Sequence, residues 1–167
     1  SGAKRANVVI VTKCPATLSL DEQNKIKNQL QLDSNQELYF SYIDYDDSVY
    51  SEDKSMKVSE IKNMDKLLLA GIAKPEPFFN HLQSKNDDIL VFPDHHHFTE
   101  NELLEIKNKS QNKIIITTEK DYVRLKGKLS NQQLFYLPIR SSFLSGSENF
   151  DRSITDYVAS MPIKSQN

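Results

Sequence analysis

Short apolar runs alternate with helix-periodic segments along almost the whole chain, and this alternation constrains the fold more than any other feature. Val8-Val-Ile-Val-Thr12 is an unbroken β-branched run, the pattern of a strand covered on both faces. Ser19-x-x-Glu22 then offers a capping box, with Ile26 and Leu30 four apart on one helical face. Further strands are expected at Glu37–Ile43, Lys66–Ala70, Asp88–Phe92, Lys113–Thr117 and Gln133–Leu137, the last ended by Pro138. Pro75 suits a first helical position ahead of Phe78, Phe79 and Leu82. Thr99-x-x-Glu102 caps a helix carrying Leu103, Leu104 and Ile106. Thr118 caps a short one with Val123 and Leu125, stopped at Gly127. A last helix is expected over Asp151–Ser160. Asp44–Glu60 is acidic, Ser-rich and weakly periodic, and reads as a long loop with one short strand near Met56–Val58.

Strands alternating with helices imply an α/β fold: three layers, α/β/α, around a mostly parallel, roughly six-stranded sheet. Residues 1–160 read as one such domain and 161–167 as a tail. With 167 residues the chain is long enough for a real core. A net charge of −2 argues against nucleic acid as the main partner, which usually requires a basic face. The single cysteine, Cys14, excludes an internal disulfide, so a reducing setting is the simpler expectation. No apolar run approaches the roughly 18–20 residues of a membrane span. There is no initiator Met and the first strand begins within a few residues, so the chain reads as part of a longer polypeptide.

In a parallel sheet of this kind ligands bind at the carboxyl ends of the strands. The loops after strands one, three, four and five are therefore expected to share one edge. They carry Lys13, then Gly71 to Pro75, then Asp94 with His95, His96 and His97, then Glu119, Lys120 and Asp121. Imidazole beside a carboxylate suits proton transfer near neutral pH. Three adjacent histidines rarely converge on one ion, because consecutive side chains point apart, so no metal site is expected within the chain. Lys120 stands in a first helical turn, where the helix dipole disfavours a cation, which makes it a candidate phosphate contact. Gly71 lets backbone approach a ligand closely. With four glycines and no G-x-x-x-x-G-K followed by Ser or Thr, the chain has no P-loop of its own.

Four segments together resemble the tetraacyldisaccharide 4′-kinase family, the lipid A kinases of Gram-negative bacteria, most of all the Bacteroidetes type. They are Arg5-Ala-Asn-Val-Val-Ile-Val-Thr-Lys-Cys-Pro15, Leu69-Ala-Gly-Ile-Ala-Lys-Pro75, Phe92-Pro-Asp-His-His-His-Phe98 and Thr117-Thr-Glu-Lys-Asp121. The resemblance runs from Lys4 to about Tyr157. It implies an ATP-dependent lipid kinase that moves the γ-phosphoryl of ATP, with Mg²⁺, to the 4′-hydroxyl of a disaccharide lipid at the cytoplasmic face of the inner membrane. It further implies that the Walker A loop and a catalytic aspartate belong to an N-terminal P-loop lobe, that this chain is the C-terminal part, and that alone it is inactive. A two-stranded hinge between the lobes is expected within residues 44–58. On this sequence the family's histidine falls on His95, with Asp94 beside it, as the catalytic pair. Gly71, Ile72, Lys74 and Pro75, with Glu119, Lys120 and Asp121, match motifs facing the nucleotide or its phosphates. Lys74 stands where Asn is frequent in the family. Two other readings stay open on sequence: a GTPase-like nucleotide-binding module, suggested by Thr12-Lys13 after a buried strand, and a non-enzymatic domain with a metal-binding histidine loop.

Overall fold

The computed structural model describes residues 2–130 and 133–161; of the expected tail, everything beyond Met161 lies outside the described residues. In chain order the elements are β1 (Val8–Cys14), α1 (Leu20–Leu30), β2 (Glu37–Tyr45), β3 (Ser48–Tyr50), β4 (Ser55–Lys57), α2 (Val58–Ile61), β5 (Lys66–Ala70), α3 (Glu76–Leu82), β6 (Asp88–Val91), α4 (Glu100–Ser110), β7 (Ile114–Thr118), α5 (Glu119–Leu125), β8 (Leu134–Leu137), β9 (Ile139–Phe143) and α6 (Ser147–Ser160). They fall into two compact units: residues 1–44 with 140–167, and Tyr45–Ile139.

The first unit holds a three-stranded sheet in the order β1-β2-β9, with β1 and β2 parallel. Ser19 caps α1 as expected: its hydroxyl accepts the Glu22 N–H, and the Glu22 carboxylate accepts the Ser19 N–H at 2.8 Å. Tyr39, Phe143 and Phe150 cluster in tilted and edge-to-face contacts, with ring centroids 4.8–5.6 Å apart. The β-branched run in β1 is not covered on both faces: Val8, Val9 and Val11 are half-buried and Ile10 is exposed.

The second unit, Tyr45–Ile139, is the three-layer α/β/α assembly. Its six strands lie in the order β4-β3-β8-β7-β5-β6. Neighbours among β8, β7, β5 and β6 run parallel, and β3 is antiparallel to both β4 and β8. Side chains alternate across the strands, as the pleat requires. Leu68, Ala70, Ile116, Phe135 and Leu137 pack with Val58, Ile61, Phe78, Phe79 and Leu82 of α2 and α3 on one face. Leu67, Leu69, Ile115 and Leu134 pack with Leu103 and Ile106 of α4 and Tyr122 and Leu125 of α5 on the other.

The strand count is as expected but the membership is not. The first two apolar runs belong to the smaller sheet, and their places are taken by β3 and β4, from the segment read as a long loop with one short strand near Met56–Val58. That expected strand is β4 (Ser55–Lys57), while β3 has only three residues, so hydrophobic periodicity does not flag it; Val49, fully buried, is what anchors β3 in the core. Within residues 44–58 the strands present, β3 and β4, belong to the six-stranded sheet. The chain passes between its two units at Asp44–Tyr45 and Ile139–Arg140.

At the amino end of β5 a buried ion pair ties the strand to the α3–β6 turn. The Lys66 ammonium lies 2.8 Å from Asp87 Oδ2, with both side chains fully shielded. It also donates to Ser84 Oγ at 2.9 Å and to the Met64 carbonyl at 3.2 Å. Asp87 in turn accepts the N–H groups of Ser84 and Lys66. Removing one member leaves an unpaired buried charge, so Asp87→Ala is expected to lower unfolding stability by about 3 kcal/mol in urea titration.

Candidate functional site

Three of the four suspected loops converge at the carboxyl ends of β5, β6 and β7. The fourth belongs to the other unit: Lys13 lies on β1, in the three-stranded sheet. The β5 and β6 loops diverge from neighbouring parallel strands, and β7 flanks β5 on its other side.

Asp121 joins two of these loops. Its side chain is fully buried in the first turn of α5. Oδ2 accepts the Gly71 N–H at 2.8 Å and the Thr118 hydroxyl at 2.7 Å, while Thr118 Oγ1 accepts the Asp121 N–H at 3.2 Å. Oδ1 faces Arg124 Nη1 at 3.5 Å. This carboxylate is enclosed by the fold and is not open to a nucleotide phosphate, the contact expected from sequence. Gly71 is needed for the same joint: a Cβ there would lie 3.1 Å from Asp121 Oδ1 and 3.3 Å from the Pro93 carbonyl. Ile72 packs against the core, Lys74 and Glu119 are exposed, and Pro75 takes the N-cap position of α3, one residue earlier than expected.

Asp94 and Lys120 form a second link. Lys120 Nζ lies 2.5 Å from Asp94 Oδ1. The same oxygen accepts the His95 N–H at 2.9 Å, and His95 Nε2 lies 3.7 Å from Asp94 Oδ2. The hydrogen bond from the Lys120 ammonium holds the Asp94 carboxyl below the usual carboxylate range, with the neighbouring His95 ring adding to the effect. His95 adopts φ 61°, in the left-handed region that few non-glycine residues visit and that Asn, Asp and His visit most often, and its imidazole is 75% exposed.

His96 does the opposite. Its ring stacks on Phe92 at 5.0 Å, meets Phe98 edge-on, and places Nε2 2.9 Å from Glu102. Glu102 closes the capping box of α4, accepting the Thr99 N–H at 2.7 Å. The Thr99 backbone N–H, then His96, pull its pKa down to about 2. Sequence reasoning gave His96 no role, although a histidine three residues ahead of a capping Thr was the available signal. His97 is exposed. Among the described residues no three of His, Cys, Asp and Glu converge as metal ligands, and no helix is long and apolar enough to cross a membrane.

A family model described as tetraacyldisaccharide-1-P 4′-kinase matches residues 1–159. A tetraacyldisaccharide 4′-kinase of Flavobacterium psychrophilum is 58% identical over 162 residues, 96% of this chain and 47% of that protein. Its counterpart in Bacteroides thetaiotaomicron is 35% identical, over 95% of this chain and 48% of that protein. The chain therefore spans about half the length of the curated relatives it matches. Among solved structures, the fold is similar to LpxK from Aquifex aeolicus in complex with ATP, with a TM-score of 0.53, 17% identity, and coverage of 89% of this chain and 51% of that one.

Two outcomes follow from the joint and the cap. Gly71→Ala forces the β5 loop against Asp121 or Pro93 and is expected to lower stability by about 1–3 kcal/mol, measured by thermal melting. Glu102 has a depressed folded-state pKa, so its contribution is present above the ordinary value of 4.5 and is lost as pH falls toward about 2. Glu102→Gln is expected to flatten part of the fall in melting temperature across that window. Asp47, also held at about 2 by Lys57, accounts for some of the remainder.

Proposed function

We propose a function from one premise: this chain belongs to the tetraacyldisaccharide-1-P 4′-kinase family. Within it, the chain is the C-terminal portion of a lipid A 4′-kinase, which transfers the γ-phosphoryl of ATP to the 4′-hydroxyl of a tetraacyldisaccharide 1-phosphate. The lipid is reached from the cytoplasmic face of the bacterial inner membrane. The observation that carries this reading is the exposed His95 on a left-handed turn beside Asp94, at the carboxyl edge of a parallel sheet, on the motif that matches the family.

Phosphoryl transfer requires positioning, charge neutralisation and a proton acceptor at the attacking hydroxyl. The donor set here does not suit Mg²⁺: Asp94 is engaged by Lys120, Asp121 is buried, and no third acidic ligand joins them among the described residues. ATP and Mg²⁺ are therefore assigned to a P-loop lobe formed by the remainder of the relatives' length. What this chain supplies is an oriented imidazole. Its solvent-facing nitrogen can hydrogen-bond a carboxylate of that lobe, fixing the direction of its lone pairs toward the hydroxyl and adjusting its basicity. The backbone of Gly71, Ile72 and Pro75 and the side chains of Lys74 and Glu119 form the nucleotide side of the same edge, with Asp121 supporting them from beneath.

The test uses the complete polypeptide and the 167-residue chain side by side. His95→Ala in the complete protein is expected to lower kcat by about 100-fold with little change in KM. The chain alone is expected to transfer no phosphoryl group. Normal turnover by the variant removes the role of His95, and transfer by the chain alone removes the assignment of the phosphate cradle to another lobe.

A further inference from the structure

We infer that Lys120 is a positioning residue for this reaction: it fixes Asp94, and through Asp94 the turn that presents His95. The inference rests on the reading of His95 given above and deepens it.

The first ground is topological. Asp94 follows β6 and Lys120 follows β7, and these strands are not neighbours, because β5 lies between them. The Lys120–Asp94 pair therefore links two loops across the end of an intervening strand. It does so beside Gly71, where the β5 loop is packed too closely for a methyl group.

The second ground is the arrangement of the Asp94 carboxylate. Oδ1 takes both the Lys120 ammonium, at 2.5 Å, and the His95 N–H, at 2.9 Å; Oδ2 is left facing the His95 ring at 3.7 Å. Without Lys120 the carboxylate is free to rotate, and the left-handed conformation of His95 loses the acceptor that holds it. The third ground is magnitude. Lys120 and Asp94 are 36% and 37% exposed, and ion pairs this accessible add little to stability. A cation in a first helical turn is further disfavoured by the dipole. The pair is poorly explained as a stabilising element and well explained as a geometric one. It also removes Lys120 from the role of a free phosphate-binding cation, since its ammonium is already paired.

The titratable groups facing Asp94 are Lys120 from α5 and His95 from its own loop. In the complete protein, Lys120→Met is expected to lower kcat roughly tenfold or more, the scale on which small misplacements act, while KM for ATP is unchanged. Lys120→Arg is expected to restore most of the rate. In a His95→Ala background Lys120→Met is expected to add no further loss, since both changes act on one unit. A readout independent of activity is the carboxyl carbon-13 titration of Asp94 in this chain. Its midpoint is expected to rise in Lys120→Met, because the neighbouring cation favours the ionised form, and to stay in place in Lys120→Arg.

A raised KM for ATP in Lys120→Met with kcat intact assigns Lys120 to the phosphates and overturns the inference. So does an Asp94 midpoint that does not move. A His95-dependent enzyme indifferent to Lys120→Met overturns the inference alone, whereas normal turnover in His95→Ala overturns the functional reading and this inference with it.

Discussion

The arrangement of the candidate site depends on one enclosed carboxylate. Asp121 has no exposed surface, yet its environment is polar: a backbone N–H from the β5 loop, the hydroxyl of the α5 cap, and a guanidinium one helical turn on. The first two donate to Oδ2, while Oδ1 has no hydrogen bond and meets only the guanidinium charge at 3.5 Å, so the cost of removing the group from water is offset by two directed hydrogen bonds and a nearby cation. Thr118 works in both directions, accepting the Asp121 N–H and donating its own proton to the carboxylate. A helix cap thereby becomes a tie to the neighbouring strand end. With Asp121 turned inward, Lys120 is placed at the surface, within reach of the β6 loop.

The histidine run shows how sharply adjacent residues can diverge in role. His96 is held between two aromatic rings and a capping carboxylate and is 19% exposed. His95, one position earlier, is bent outward by a left-handed backbone and is 75% exposed. The first fastens the loop to α4 through Glu102. Because that end of the loop is fixed, the preceding turn can hold an uncommon backbone conformation with an exposed ring. An exposed ring on a left-handed turn keeps one orientation only where surrounding structure determines it. Here that structure is His96 on one side and the Asp94–Lys120 pair on the other.

Much of this was legible in the sequence, and the misses have physical causes. The strands β5, β6, β7 and β8 stand within one residue of expectation because each is a short apolar run bounded by turn residues, and the caps at Ser19, Thr99 and Thr118 are local hydrogen-bonding patterns. Sheet membership was not legible. A β-branched run announces a strand but not its partner, so the Val8 and Glu37 runs were placed in the wrong sheet. The strands β3 and β9 carry Ser and Arg and owe their existence to pairing, which leaves no periodic trace. At the site the residue types were legible and the pairings were not. Lys120 and Asp94 are 26 positions apart, and Gly71 and Asp121 are 50 apart. Nothing in the local pattern of Thr117–Asp121 shows that the Lys points out and the Asp points in.

The two sheets also differ in how well they satisfy their own sequences. In the unit Tyr45–Ile139 every residue of β5 is buried, and helices cover both faces of the sheet. That is what an apolar run of this length requires, since burial at roughly 25 cal/mol per Å² is the main term opposing chain entropy. In β1 an equally apolar run is only half covered, and neither α1 nor α6 buries a residue. A strand of that composition is stabilised by further cover. The edge bearing His95 therefore stands on the unit whose apolar strands are covered on both faces, and not on the unit whose first strand is left half open.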